Sequence, residues 1–321
     1  MSAEIAASTY ADFLAGAYLG SFVADGGAAV KVAVAPSVED AEVLTARAVG
    51  AAREKGYIAV RVDAATTRVS LIQHIFFAVA GEVDWSATAR KIVRHIAKER
   101  LGFAIDGSPT YEAIGAVAGL DAAIVRREML KGLQSDVYRN YALAKDFRLA
   151  MMQYCNAELE GGAGADHVRQ ILGEWLRGEL RLVSSLKEWA IFQKIGRHNA
   201  RVMMASTAHW LRQAGHSGLV VVLDLGRLAA ASRQDAQDDG YHYTVSAVMD
   251  AYEVLRQFID STDEMSAFLL LVIAPQALLN DDRRGFQAYA ALQNRVWDDV
   301  RDRTRANPFA PMVRIAAGGE S

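Results

Sequence analysis

An aspartate that closes an apolar run is the first feature of this chain placed to do chemistry. Residues 218–224 read GLVVVLD, a continuous apolar strand that delivers Asp224 at its carboxyl end. In a parallel α/β sheet, ligands bind beyond the carboxyl ends of the strands. A carboxylate there can assist the magnesium of a nucleotide, as the aspartate of a Walker B strand does. The same pattern can also simply begin a turn. In hydrolysing sites of that kind a glutamate commonly follows and orients the attacking water. Here the next residue is Leu225.

The matching phosphate loop belongs after the first strand. Backbone N–H groups of a glycine-rich loop cradle phosphate, a lysine neutralises charge and a Ser/Thr holds magnesium. Residues 35–42 read APSVEDAE, with no glycine and no lysine. Pro36 removes a donor. Glu39, Asp40 and Glu42 put negative charge in the first helical turn, which suits the helix dipole and repels a phosphate chain. Each missing phosphate contact costs about 1–3 kcal/mol as a charge-assisted hydrogen bond. The sequence therefore predicts no ordinary ATP binding, no catalytic residue and no bound cofactor.

Three other groups could recognise something. Arg197, His198, Asn199 and Arg201 precede an apolar helix and form either an anion or partner site or a solvated helix start. Residues 111–129, YEAIGAVAGLDAAIVRREM, resemble a helix-turn-helix, with Ile114, Ala118, Leu120 and Val125 as apolar contacts and Gly119 as the turn. Arg126, Arg127 and Lys131 would then lie on or just beyond a helix able to enter a major groove, a pattern that many helical hairpins share without touching DNA. Arg295, Arg301, Arg303 and Arg305 alternate with Asp298, Asp299 and Asp302, as solvated i,i+4 pairs do, and Trp297 among them reads as core. The seven histidines show no metal-ligand spacing, so no zinc site is expected. No nucleophile elbow and no nuclease-like carboxylate cluster is present.

The elements that must position these residues are legible. Apolar runs at 28–34, 57–63, 218–224, 268–274 and 312–316 read as strands. Helical patterns occupy 10–23, 37–55, 245–260 and 284–303, with Ser37 as an N-cap and Asp40 three residues on. Residues 227–241 read as an exposed polar loop. Between strands two and three, residues 70–214 are almost wholly helical, broken near 102–109 and at 160–164. The expected architecture is a three-layer α/β core with a mostly parallel five-stranded sheet. Its first part is residues 1–69, a large helical insertion follows over 70–214, and 215–321 completes the core.

Bulk properties narrow the classes further. The chain has 321 residues, 52% hydrophobic, enough for a sizeable core. A net charge of -3 gives no global basic field for nucleic acid or anionic lipid. The single cysteine, Cys155, sits on an apolar helical pattern and reads as a buried, inert thiol. No signal peptide is legible, and the longest apolar runs are too short to span a bilayer. A cytoplasmic protein without membrane contact is expected.

Four segments together carry a family resemblance: IFQKIGRHNAR at 191–201, HWLRQAGHSGLVVVLD at 209–224, DAYEVLRQFIDSTDE at 250–264 and NDDRRGFQAY at 280–289. In this order they resemble the ATP-binding proteins of BREX-type phage-defence systems, which are AAA+-like P-loop NTPases. The resemblance runs from about residue 18 to 314. It implies a P-loop NTPase-like core, ATP and magnesium as the family's cofactors, and other defence-system proteins as partners. Asp224 falls on the Walker B aspartate. Arg283 and Arg284 fall in the RRG segment after the fourth strand, where such ATPases can place sensing or finger arginines. The family's GxxGxGK[ST] loop has no match at 35–42, and its second acidic residue none at Leu225.

The combined expectation is a catalytically degenerate, ATPase-shaped adaptor or regulator. Its partner would be an ATPase or helicase, and DNA would be reached through partners. The alternative is a working NTPase or DNA-binding subunit whose site is unconventional or completed by another chain. An adaptor should leave Arg283, Arg284 and the 197–201 segment partly exposed. Phosphate contacts by Arg126, Arg127 and Lys131 alone would give a log–log salt slope of about -2.7 at most. The lone chain should accordingly bind duplex DNA weakly or undetectably at physiological salt. Submicromolar binding that disappears in an Arg126→Glu, Arg127→Glu variant would contradict this.

Overall fold

A computed structural model describes residues 3–230, 240–297 and 306–318. The chain forms two compact units, one from residues 1–79 and 216–321, the other from 80–215.

The first unit opens with α1 (Ala7–Phe13), continued as a π-helix over Leu14–Phe22. Then come β1 (Ala28–Ala35), α2 (Val38–Glu54) and β2 (Ile58–Asp63), the expected βαβ unit. Ser37 caps α2 by accepting from the Asp40 N–H at 3.0 Å. Next, α3 (Ile72–Glu82) leads into the helical unit.

That unit contains α4 (Trp85–Leu101), α5 (Tyr111–Ala118), α6 (Ala122–Leu133), α7 (Lys145–Glu160), α8 (Gly162–Leu176) and α9 (Ala200–Gln213). Its core is aromatic. Phe147 of α7 packs edge-on against Trp85 and Trp210, with centroids 5.9 and 6.5 Å apart. The Trp210 indole donates to Thr88 Oγ1 at 2.9 Å, and that hydroxyl donates to the Trp85 carbonyl, so the buried polar atoms of the cluster satisfy one another. Cys155 is fully buried, and desolvation pushes its thiol up, as an inert core residue requires.

The chain returns to the first unit with β3 (Leu219–Asp224), α10 (Val245–Asp260), β4 (Phe268–Pro275), the short α11 (Ala277–Asn280), α12 (Ala290–Val296) and β5 (Met312–Arg314). The five strands form one sheet in the order β2-β3-β4-β1-β5, and every pair is parallel. This is the P-loop NTPase-like architecture that the sequence resemblance implies, with all strands parallel rather than most.

Both faces of the sheet are covered, which is why the strands are apolar throughout. Leu44 and Ala48 of α2 belong to one core with Val222 and Leu271. Residues of opposite parity face the other way, and there Phe258 of α10 stacks on Phe268, 6.2 Å between centroids.

Some expectations change at the carboxyl-terminal end. The helix read over 284–303 is described only as α12, preceded by a 3-10 turn at Phe286–Ala288. Gly285 and the turn satisfy their backbone locally, so the helix starts late. Trp297 follows α12 and is 38% exposed, not core. The charges from Asp298 to Arg305 lie outside the described residues, as do positions 231–239 of the loop read at 227–241. The described flanks of that loop are drawn in: Leu228 is buried, and Arg227 donates to the Tyr241 carbonyl.

Gly218 marks the tightest approach at the start of β3. Its φ is +142°, and an added Cβ would meet the Ala267 carbonyl oxygen at 2.1 Å. That oxygen already accepts the Leu219 N–H. Gly218→Ala should cost about 2 kcal/mol or more through strain and clash together. Urea denaturation measures it, and an unchanged midpoint would show that the β3–β4 entry relaxes freely.

Candidate functional site

The carboxyl ends of β2 and β3 and the first turns of α2 converge on one arginine. Along β2 the side chains alternate, and Arg61 and Asp63 share the face of Ala59, which belongs to the α2-side core. Asp224 shares the face of Val222 in the same way. The Arg61 guanidinium is bidentate to Glu42 of α2. Nη1 donates to Oε2 at 2.7 Å and Nη2 donates to Oε1, while Nη2 also lies 3.7 Å from Asp224 Oδ2. Asp224 accepts the Gly226 N–H at 2.7 Å, and Asp63 accepts the Ala65 N–H at 2.7 Å.

The electrostatics follow from this geometry. Hydrogen bonding to Arg61 holds the Glu42 carboxyl below its ordinary value. Asp224, only 19% exposed at its side chain, is shifted the other way. Burial is the largest cause. The Asp63 and Glu42 charges add to it, against the Gly226 N–H and Arg61. Three carboxylates thus surround one guanidinium.

The segment in the phosphate-loop position is closed on itself. The Ser37 hydroxyl donates to Asp40 Oδ2 at 2.8 Å, and Asp40 Oδ1 accepts the Gly318 N–H at 3.3 Å. Asp40 therefore binds its own cap and the far end of the chain. Leu225 is fully buried, its N–H donating to the Ile273 carbonyl. Arg61 was not singled out from the sequence, although a charge in the middle of YIAVRVD was the available signal. Lys31 is a second such charge. It lies buried in β1 and donates to the Phe309 and Ala310 carbonyls, anchoring the approach to β5.

Arg283 and Arg284 part company. Arg283 is exposed. Arg284, expected to be partly exposed, is 6% exposed and donates to the Leu228 carbonyl at 3.1 Å. Tyr252 donates to the Arg284 carbonyl, and Asp281 accepts both arginine N–H groups. The guanidinium is thereby committed to holding the turn after β3.

In the helical unit, Asn199 is buried and folds the segment before α9. Its side chain accepts the Gly196 N–H at 2.7 Å and donates to the Lys194 carbonyl. Arg197 and His198 are exposed, and His198 shares a hydrogen bond with Gln193. Arg201 is half-buried. Beside them lies an open groove of about 540 Å³, lined by Phe192, Val202, Lys145 and Asp146 among others. Phe192 is 65% exposed on its rim.

The segment read as a helix-turn-helix folds as α5, a turn at Gly119 and α6, with Ile114 and Val125 buried. Leu120, expected among the contacts, is exposed, because Gly119 turns the chain outward before α6 begins. All three basic residues face solvent already paired: Arg126 with Glu160 at 2.9 Å, Arg127 and Lys131 with Glu128 at 3.1 and 2.9 Å. Among the described residues no group of carboxylates, histidines and cysteines could hold a metal ion, and no helix is long and apolar enough to cross a membrane.

Because burial raises the Asp224 carboxyl, folding favours its protonated form. The penalty is absent below the unfolded carboxylate value of about 3.9 and grows as pH rises through the raised folded value. Asp224→Asn should therefore be more stable than the parent at neutral pH, with the gap closing in acid. Paired urea melts at the two pH values test this; a less stable variant at neutral pH would mean that the Arg61 contact outweighs burial.

Among known proteins, a family model described as BREX system ATP-binding protein BrxC/D matches residues 120–317. No curated protein and no solved structure matches the chain. The match includes Asp224, Leu225, Arg283 and Arg284 and begins after β1, α2 and β2.

Proposed function

The chain belongs to the BREX system ATP-binding protein BrxC/D family, and from that premise we propose that it serves its defence system as an ATPase-shaped subunit that does not hydrolyse ATP. In this reading it is an adaptor or regulator, working in the cytoplasm beside other proteins of the system, a true ATPase or helicase among them. DNA is reached through those partners.

One observation carries the reading: the Arg61 guanidinium is bidentate to Glu42 and lies 3.7 Å from Asp224, the residue at the Walker B position. A divalent cation coordinated by Asp224 would lie within a few ångströms of a fixed guanidinium, and like charges at that range repel strongly in a partly buried site. The surroundings point the same way. The turn from β1 to α2 has no glycine to let a phosphate chain approach the backbone. Its serine is engaged as a helix cap. Leu225 fills the core where a water-orienting glutamate would be needed. The partner role draws support from the exposed Arg197, His198 and Phe192 beside an open groove.

The full chain, titrated with magnesium-ATP and with a fluorescent ATP analogue, should show no saturable binding up to about 1 mM, the upper end of usual KM values. Phosphate release should stay at background. Turnover that vanishes in Asp224→Ala would overturn the proposal and favour a working NTPase with an unconventional site. Turnover that appears only on adding a partner would place completion of the site in another chain.

A further inference from the structure

The groove at the start of α9 carries the chemistry of its partner in its own walls. Lys145 and Asp146 of α7, Phe192 and Gln193 of the preceding segment, and Val202 and Met203 of α9 line it. Gln193 joins two of these walls. Its amide donates to Asp146 Oδ2 at 2.8 Å, and its carbonyl oxygen bonds His198 Nε2 at 3.1 Å. The groove encloses about 540 Å³, room for a few side chains.

Two of the lining side chains are apolar and open to water. Phe192 is 65% exposed and Val202 39%. A single exposed apolar residue is ordinary, but these two face one concavity, where a ligand can cover both.

The charge of the walls is unbalanced. Residues 144–146 and 192–203 carry Lys145, Lys194, Arg197 and Arg201 against Asp146 alone, an excess of positive charge in a chain whose net charge is -3. Arg201 is half-buried and already engaged. Lys145, Lys194 and Arg197 are exposed, and their side chains have no hydrogen-bond or ion-pair partner among the described residues. Asp146, the one carboxylate, is bound by Gln193. The positive charge is thus left for something outside the unit to match.

We propose that this groove docks an acidic segment of a partner protein, anchored by one large apolar side chain. The anchor packs against Phe192 and Val202. Carboxylates flanking it face Lys145 and the turn at 194–197. Nucleic acid fits less well, because a phosphate backbone is held by a broad basic track, and here three available cations stand beside a carboxylate and an apolar lining. The inference rests on the partner-binding half of the proposed function and is independent of its nucleotide half.

The probe is a fluorescein-labelled peptide with one phenylalanine among glutamates. One twin has lysine for every glutamate, the other serine for the phenylalanine. Binding to the full chain is read by anisotropy. The parent peptide should bind saturably, and each twin about tenfold more weakly or worse. Lys145→Glu, Phe192→Ser and Val202→Glu should each weaken binding about tenfold, the loss of one anchoring contact, while Lys145→Arg retains it. A glutamate in the first turn of α7 suits the helix dipole, and all three positions are open to solvent, so melting temperatures should not fall. No binding, equal binding of either twin, or indifference to all three variants would overturn the proposal. Duplex DNA that displaces the peptide from the parent but does not bind Lys145→Glu would overturn it too, as would self-association lost in that variant, which would make the occupant a second copy. Absent peptide binding with absent ATP turnover removes this groove and leaves the nucleotide reading; ATP turnover beside intact peptide binding does the reverse.

Discussion

The α/β unit depends on one pairing, that of β1 with β4. Eight residues of each strand run in register, from Ala28 beside Phe268 to Ala35 beside Pro275. The two strands come from opposite ends of the chain, so their union closes a very long loop. The entropy of that closure grows only logarithmically with length, and a buried apolar ladder can offset it. Everything between becomes an excursion from the sheet. The crossover through α2 returns as β2, and the helical unit lies within the connection from β2 to β3. Strand β5 then adds to the free side of β1, its approach held by the buried Lys31.

That pairing also explains why β1 is needed whatever happens at its carboxyl end. The strand is interior, between β4 and β5, and its residues from Val32 onward are buried. Packing fixes their character. The turn that follows is under no such constraint, because residues 36–40 mostly face solvent and need only lead the chain into α2. Ser37 and Asp40 do this through a cap. A phosphate cradle demands glycines and a lysine at fixed spacing, whereas a helix start demands only an acceptor at the N-cap. The sheet can therefore keep its form with either kind of turn.

Strands and helices were legible because each strand is a continuous apolar run and each long helix carries its own punctuation. Ser37, Gly119 and the glycines at 161–162 fall at element ends. The failures share a cause. Arg284 reads as a surface arginine in NDDRRGFQAY, yet it is buried because Leu228, far away in sequence, presents a carbonyl to it. Leu120 reads as a helical contact, yet the turn at Gly119 leaves it outside. Arg61 reads as one charge in a strand, and its meaning comes only from Glu42 and Asp224, which two other elements supply. Periodicity shows which face a residue shares with its neighbours along the chain. It carries no information about which distant group stands opposite.

The Arg61 cluster shows how much turns on that distant pairing. Taken separately, Glu42 is a helix-start carboxylate, Asp63 a turn residue and Asp224 a strand-end acid, and each suits its place. Brought together, three carboxylates at the mouth of a sheet would repel one another and attract a cation. A magnesium ion with phosphates would answer that demand in a nucleotide site. Here a guanidinium supplied by the edge strand lies among them, bidentate to Glu42 and 3.7 Å from Asp224. Asp224 is the more buried partner of its pair with Arg61, and burial first, with the neighbouring Asp63 and Glu42 charges adding, pushes its carboxyl up. An arginine cannot give up its proton or leave the chain, unlike a metal ion. The positive charge among these carboxylates is therefore permanent, and two elements other than its own strand, α2 and β3, supply the acids it faces.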